Sequence, residues 1–153
     1  MSDHKAAISQ APVLRPRPWH LWVVGILSLI WNGFGAFDYS ATQFQWQAYM
    51  SNFTESQLEY FYGLPAWQVS AWAFGVWGAL LGSIGLILAK RWAVLMFAVS
   101  LVGMLASFAT YFWSEQAQEA MGQSGWIFSA VIVVVGVVLL RYSRNMSKKG
   151  VLR

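Results

Sequence analysis

The sequence contains no cysteine. Disulfides, thiol nucleophiles and Cys-ligated zinc or iron–sulfur centres are thereby excluded, and the redox compartment leaves no mark on the chain. Charge is scarce too. Only 10% of residues are Asp, Glu, Lys or Arg, against about 25% in a soluble domain. So few charges cannot cover a water-facing surface. Of the 2 histidines, His4 lies near the start of the chain and His20 at the start of the first apolar run. A haem held within a helix bundle needs a buried axial histidine. His20 sits at headgroup level and has no partner, so no haem is expected. There is no P-loop, no GxGxxG, no HExxH and no Ser–His–Asp grouping, and hence no expectation of an enzyme or of any cofactor or metal.

What is present is apolar. Hydrophobic residues make up 58% of the 153-residue chain and aromatics 17%, including 10 Trp. Four runs stand out, at about 19–39, 67–89, 92–113 and 125–142. Each is close to the ~20 residues needed to cross a hydrocarbon core of ~30 Å. Val131 to Val138 has strand propensity, but in lipid a lone strand leaves its backbone polar groups unpaired, so the run is read as helical. The first run follows 18 residues with three prolines and exceeds a signal-peptide core of roughly 7–15 residues, so it is read as a span. The expected fold is an all-α membrane protein. It has a tail at 1–18, a four-helix transmembrane domain at 19–142 and a basic tail at 143–153.

Orientation follows from the basic residues. Lys5, Arg15 and Arg17 precede the first span, and Lys90 and Arg91 lie between the second and third. Arg141, Arg144, Lys148, Lys149 and Arg153 end or follow the fourth. The other two connections hold no Lys or Arg. Threading the chain up-down-up-down puts all 10 basic residues on one bank, which the positive-inside rule makes cytoplasmic, with both termini. Glu55, Glu59, Glu115 and Glu119 fall on the opposite bank. The +4 net charge implies no nucleic-acid partner, because the cations share no folded soluble face. Arg141, Arg144, Lys148 and Lys149 are instead expected to attract anionic lipid headgroups.

Small residues recur at steps of 3, 4 and 3. Gly25, Ser28, Asn32 and Gly35 do so in the first span. Gly75, Gly78, Gly82 and Gly85 follow in the second, and Ser100, Gly103, Ser107 and Thr110 in the third. That spacing keeps each set on one helix face, at the period of left-handed packing. Small side chains permit the close backbone approach that drives association in lipid. These faces are read as the packing seams of the bundle. The fourth span offers a sparser set, Gly125, Ser129 and Gly136. Between the first two spans, Thr54 followed by Gln57 forms a capping-box pattern, and Gly63-Leu64-Pro65 stops the segment. A short, aromatic interfacial helix over about 54–62 is predicted there, outside the cytoplasm.

Two polar residues are candidates for ligand contact. Asn32 lies ~20 Å from Trp19 along the helix, near the midplane. It sits on the seam, where an interhelical hydrogen bond of ~1 kcal/mol competes with a substrate contact as its role. Asp38, the one acid in or near a span, lies ~28 Å along, at the outer boundary. There it can reach water or loop amides, or serve an ion or substrate.

The runs RPWHLWVVGILSLIWNGFGAFDY, FYGLPAW and AWAFGVWGALLGS resemble a family of small, uncharacterised four-helix inner-membrane proteins of proteobacteria. The label of sugar transporter is sometimes attached to its members. The resemblance covers the first three spans and implies a bacterial inner membrane. It carries no functional residue. Small multidrug transporters are a poorer match. They use a glutamate embedded in the first helix, where this chain has only Asp38 at the rim. The expected function is that of a non-enzymatic protein that binds or assembles with membrane components, partner proteins or further copies of itself. The alternative is a small solute transporter using Asn32 and Asp38. It would be oligomeric, because four helices around small residues leave little room for a pore.

Overall fold

A computed structural model describes residues 16–153. Those residues form helices and turns and no strand. The order is α1 (Trp19–Gln43), α2 (Gln47–Met50), α3 (Glu55–Tyr62), α4 (Ala66–Ile87), α5 (Trp92–Phe108) and α6 (Glu115–Lys148). A 3₁₀ turn, Ala109–Phe112, extends α5. Four helices are long and apolar enough to cross a membrane: α1, α4, α5 with its 3₁₀ turn, and α6. Residues 1–15 of the N-terminal tail, with Lys5 and Arg15, lie outside the described residues.

Helix ends explain the chain reversals. α1 and α4 both begin just after a proline, Pro18 and Pro65, whose fixed φ suits a helix start. Three helices close with paired bonds of the Schellman type. After α1, Gln45 N donates to Thr42 O at 3.1 Å and Trp46 N to Ala41 O at 2.9 Å. After α4, Ala89 N donates to Leu86 O at 3.0 Å and Lys90 N to Gly85 O at 2.8 Å. After α6, Gly150 N donates to Ser147 O and Val151 N to Met146 O, both at 3.0 Å. The left-handed residue is a glycine only in the last case. Gln45 (φ +50°) and Ala89 (φ +55°) occupy that region without being glycine, a conformation that crowds Cβ against the following carbonyl.

Neighbouring spans run antiparallel. A Cβ on Gly103 of α5 would lie 2.6 Å from the Ala71 carbonyl oxygen and 2.7 Å from the Gly75 nitrogen of α4. Nearer the other end, a Cβ on Gly85 of α4 would meet the Trp92 ring at 2.8 Å. α1 lies along α4, with Gly25 against Ile87 and Gly35 facing Val76. α6 closes the bundle against α5. Two apolar clusters cap the ends. One, at the basic end, joins Leu21, Leu86, Ala93, Phe97, Leu139 and Leu152 among others. The other, at the acidic end, joins Tyr60, Tyr111, Ala117 and Ala120.

Two features differ from the boundaries read in the sequence. α6 begins at Glu115, ten residues before the fourth apolar run, and breaks at Gly122 (φ +54°). Its outer segment, up to Met121, is capped by Ser114, whose Oγ accepts from Ala117 N at 3.2 Å. The region 143–153 is no free basic tail. Ser143 and Met146 are buried on α6, and Val151 and Leu152 pack into the basic-end cluster. Arg153 N donates to Ala89 O at 2.7 Å and Arg91 N to Arg153 O at 2.8 Å, clipping the chain under the α4–α5 turn.

Candidate functional site

The small-residue positions fall into three physical classes. At Gly78 and Gly103 a Cβ would meet backbone: in a tight contact at 3.1 Å from Met96 O for the first, and in a collision at 2.6 Å from Ala71 O for the second. At Gly25, Gly75, Gly82 and Gly85 it would strike side chains: Ile87, Met104, Phe97 and Trp92. At Gly35 the nearest atom, Val76 Cγ1, is 3.9 Å away, an ordinary contact. The hydroxyls close local and interhelical bonds. Ser28 Oγ donates to Gly25 O at 3.0 Å and Ser100 Oγ to Gly75 O at 2.6 Å, from α5 to α4. Ser107 is buried. Thr110 lies in the 3₁₀ turn and not in the α-helix proper.

Asn32 is 8% exposed. Its Nδ2 donates to Ser83 Oγ of α4 at 2.9 Å, with the Ala79 carbonyl at 3.4 Å. It also borders a void of about 30 Å³ with Trp31, Ser100, Met104 and Gly136. A ligand pocket measures ~300 Å³ or more, whereas a water needs only ~10–15 Å³. The space beside Asn32 therefore suits water and not a solute. Asp38 lies on the same helix nearer the acidic end. Its hydrogen-bond partner among the described residues is a side chain of the α1–α4 connection. Tyr49 Oη of the α1–α4 connection donates to Asp38 Oδ1 at 2.5 Å. Burial, and then the bonded, negatively charged Asp38, hold the Tyr49 phenol above its ordinary range. Tyr49 packs edge-on against Phe37, with ring centroids 5.5 Å apart.

A second polar cluster escaped the sequence reading. Gln68 of α4 is 3% exposed. Its Nε2 lies 2.9 Å from Thr110 Oγ1, 3.1 Å from Tyr60 Oη and 3.2 Å from Ser107 O. One amide thus ties α3, α4 and α5 together at the acidic end. A signal was present, since Gln68 is an amide at the start of an apolar run. α3 forms as its capping box predicts: Thr54 N donates to Gln57 Oε1 at 3.0 Å, and Gln57 N to Thr54 Oγ1 at 3.4 Å. Tyr60 packs with Tyr111, Ala117 and Ala120, so α3 docks on the outer segment of α6. Phe61 stacks on Trp72 at 6.0 Å, and Tyr39 meets Trp72 edge-on at 5.0 Å. Trp77, by contrast, is exposed on the bundle's outer face.

Every buried side-chain nitrogen and oxygen among the described residues has a hydrogen-bond partner. Some of these bonds are local, as at Ser28 and Ser143, and others, from Asn32, Gln68 and Ser100, join neighbouring helices. At the basic end, Arg17 Nη2 approaches Leu88 O at 3.4 Å, and Arg91 Nε donates to Leu152 O at 3.2 Å. His20 Nδ1 and Tyr142 Oη share a 2.5 Å bond. His20 also lines an open groove of about 340 Å³ between the start of α1 and the end of α6. Among the described residues no three of His, Asp and Glu converge as a metal site would require. Compared with protein-family models, curated proteins and solved structures, the chain matches none.

Proposed function

We propose that this chain is a multi-pass inner-membrane protein that binds or assembles with other membrane components and performs no catalysis. The observation that carries this reading is the interior. Among the described residues every buried side-chain nitrogen and oxygen is already hydrogen-bonded, within its own helix or to a neighbouring one, and the void beside Asn32 measures only about 30 Å³. What the molecule offers outward is apolar surface, including Ile26, Ile30 and Phe34 of α1 and Ile127, Phe128, Val131 and Val134 of α6. The chain crosses four times. Its basic bank, from Arg17 to Arg153, faces the cytoplasm, and α3 with the outer segment of α6 faces the other side. Antiparallel packing supports this, because it gathers Arg17, Arg91 and Arg153 at one end. Affinity capture from native membranes in mild detergent is expected to recover a stoichiometric partner or a second copy. Repeated recovery of the bare monomer would overturn the proposal.

Transport remains the second reading, because Asn32 borders the void with Ser100. One protomer offers no solute-sized path there, so this reading requires an oligomer. Reconstituted vesicles would then show solute or proton flux that Asp38→Asn reduces.

A further inference from the structure

We infer that the groove between α1 and α6 at the basic end is a headgroup site for one anionic phospholipid. It is lined by Pro16, Pro18, His20, Met146, Lys149 and Val151 and measures about 340 Å³. Its chemistry is amphipathic. Met146 and Val151 are buried and, with the prolines, form an apolar wall suited to a glycerol backbone and the first acyl carbons. Lys149 supplies an ammonium and His20 an imidazole. Tyr142 engages Nδ1 of that ring at 2.5 Å, which leaves Nε2 as the nitrogen the ring can offer. α1 starts here with no side-chain cap, so its first backbone N–H groups add positive potential, which favours a phosphate. The five described acids, Asp38, Glu55, Glu59, Glu115 and Glu119, all belong to the opposite end. Among the described residues no acidic side chain at this end competes for the cations. The ends of two spans place the groove at headgroup depth, where a lipid phosphate is the abundant anion.

The inference rests on the chain being embedded in a bilayer, and on its orientation only for which leaflet supplies the lipid. Binding is best measured in detergent, where sidedness plays no part, so its failure and a failure of the orientation are read separately. Native mass spectrometry of the full chain, titrated with phosphatidylglycerol or phosphatidylcholine, is expected to show one phosphatidylglycerol held preferentially. Lys149→Gln should weaken that binding by about fivefold or more, the factor for one basic residue at an anionic surface. Lys148→Gln, which removes the same charge one residue away and outside the groove, should weaken it far less. His20→Gln should weaken it too, which separates the groove from a general effect of tail charge. Equal losses for Lys148→Gln and Lys149→Gln would overturn the site, as would equal retention of phosphatidylcholine. Displacement of the lipid by millimolar inorganic phosphate would also overturn it, by assigning the groove to a soluble anion.

Discussion

At Gly103 the backbones of α4 and α5 come so close that no side chain fits, whereas Gly33 has nothing within 4 Å of an added Cβ. The two should respond oppositely to alanine. Gly103→Ala is expected to cost about 1–3 kcal/mol, because backbone on both sides cannot yield as a flexible side chain would. Gly33→Ala should be neutral or stabilising by up to about 1 kcal/mol through helix propensity alone. Thermal unfolding in detergent measures both, and comparable behaviour of the two variants would refute the distinction. Spacing alone does not rank these positions: Gly35 and Gly103 share the same 3-4-3 pattern, yet only Gly103 lies against backbone. Tyr49 carries a pH dependence. Burial comes first, then its bond to Asp38 and that residue's charge; together they raise the phenol above the ordinary tyrosine range, since ionisation would set a second negative charge beside the first. A raised value in the folded state means the stabilising contribution is complete below the unfolded value. It is lost as the pH climbs through the folded one. The stability difference between the wild-type chain and Tyr49→Phe should therefore be constant near neutrality and shrink above about pH 10. A difference that grows in alkali would contradict the pairing.

The elements differ in how openly the sequence announces them. α3 is legible to the residue, because Thr54 and Gln57 satisfy each other's backbone groups locally and need no partner. The outer segment of α6 is not. Residues 115–121 are largely polar, and Ala117 and Ala120 become core only because Tyr60 and Tyr111 arrive from other elements. The turns after α1 and α4 are hidden for a related reason. Gln45 and Ala89 hold left-handed conformations that sequence rules assign to glycine. The closing segment 149–153 looks like a solvated basic tail, yet Leu152 is 0% exposed. Leu152→Ala is expected to lower stability by about 2 kcal/mol or more, as for other fully buried leucines. An equilibrium unfolding series in detergent checks this. A loss within error would mean the clip to Ala89 and Arg91 contributes nothing to the fold.

For the whole molecule, the decisive property is the separation of charge along the bundle. Reporter enzymes fused at Gln57 and Gln118, in α3 and in the outer segment of α6, are expected to be active only outside the cytoplasm. Reporters after Arg153 should be active only inside. Activity of the Gln57 fusion in the cytoplasm would invert the orientation. Composition and apolar periodicity by themselves determined that the chain is helical and carries four membrane-length segments. Lipid offers the backbone no hydrogen bonds, so long apolar runs have little choice but to form helices. The spacing of small residues likewise marked positions on α4 and α5 where the helices meet closely. Only the tertiary structure decided which of those glycines lie against backbone, that Asp38 answers Tyr49, and that Gln68 joins three elements. It also folded the last residues back under the α4–α5 turn. Each of these depends on atoms from helices far apart in the chain meeting in space, and in a membrane the pattern along one helix does not say which neighbour's groups will face it.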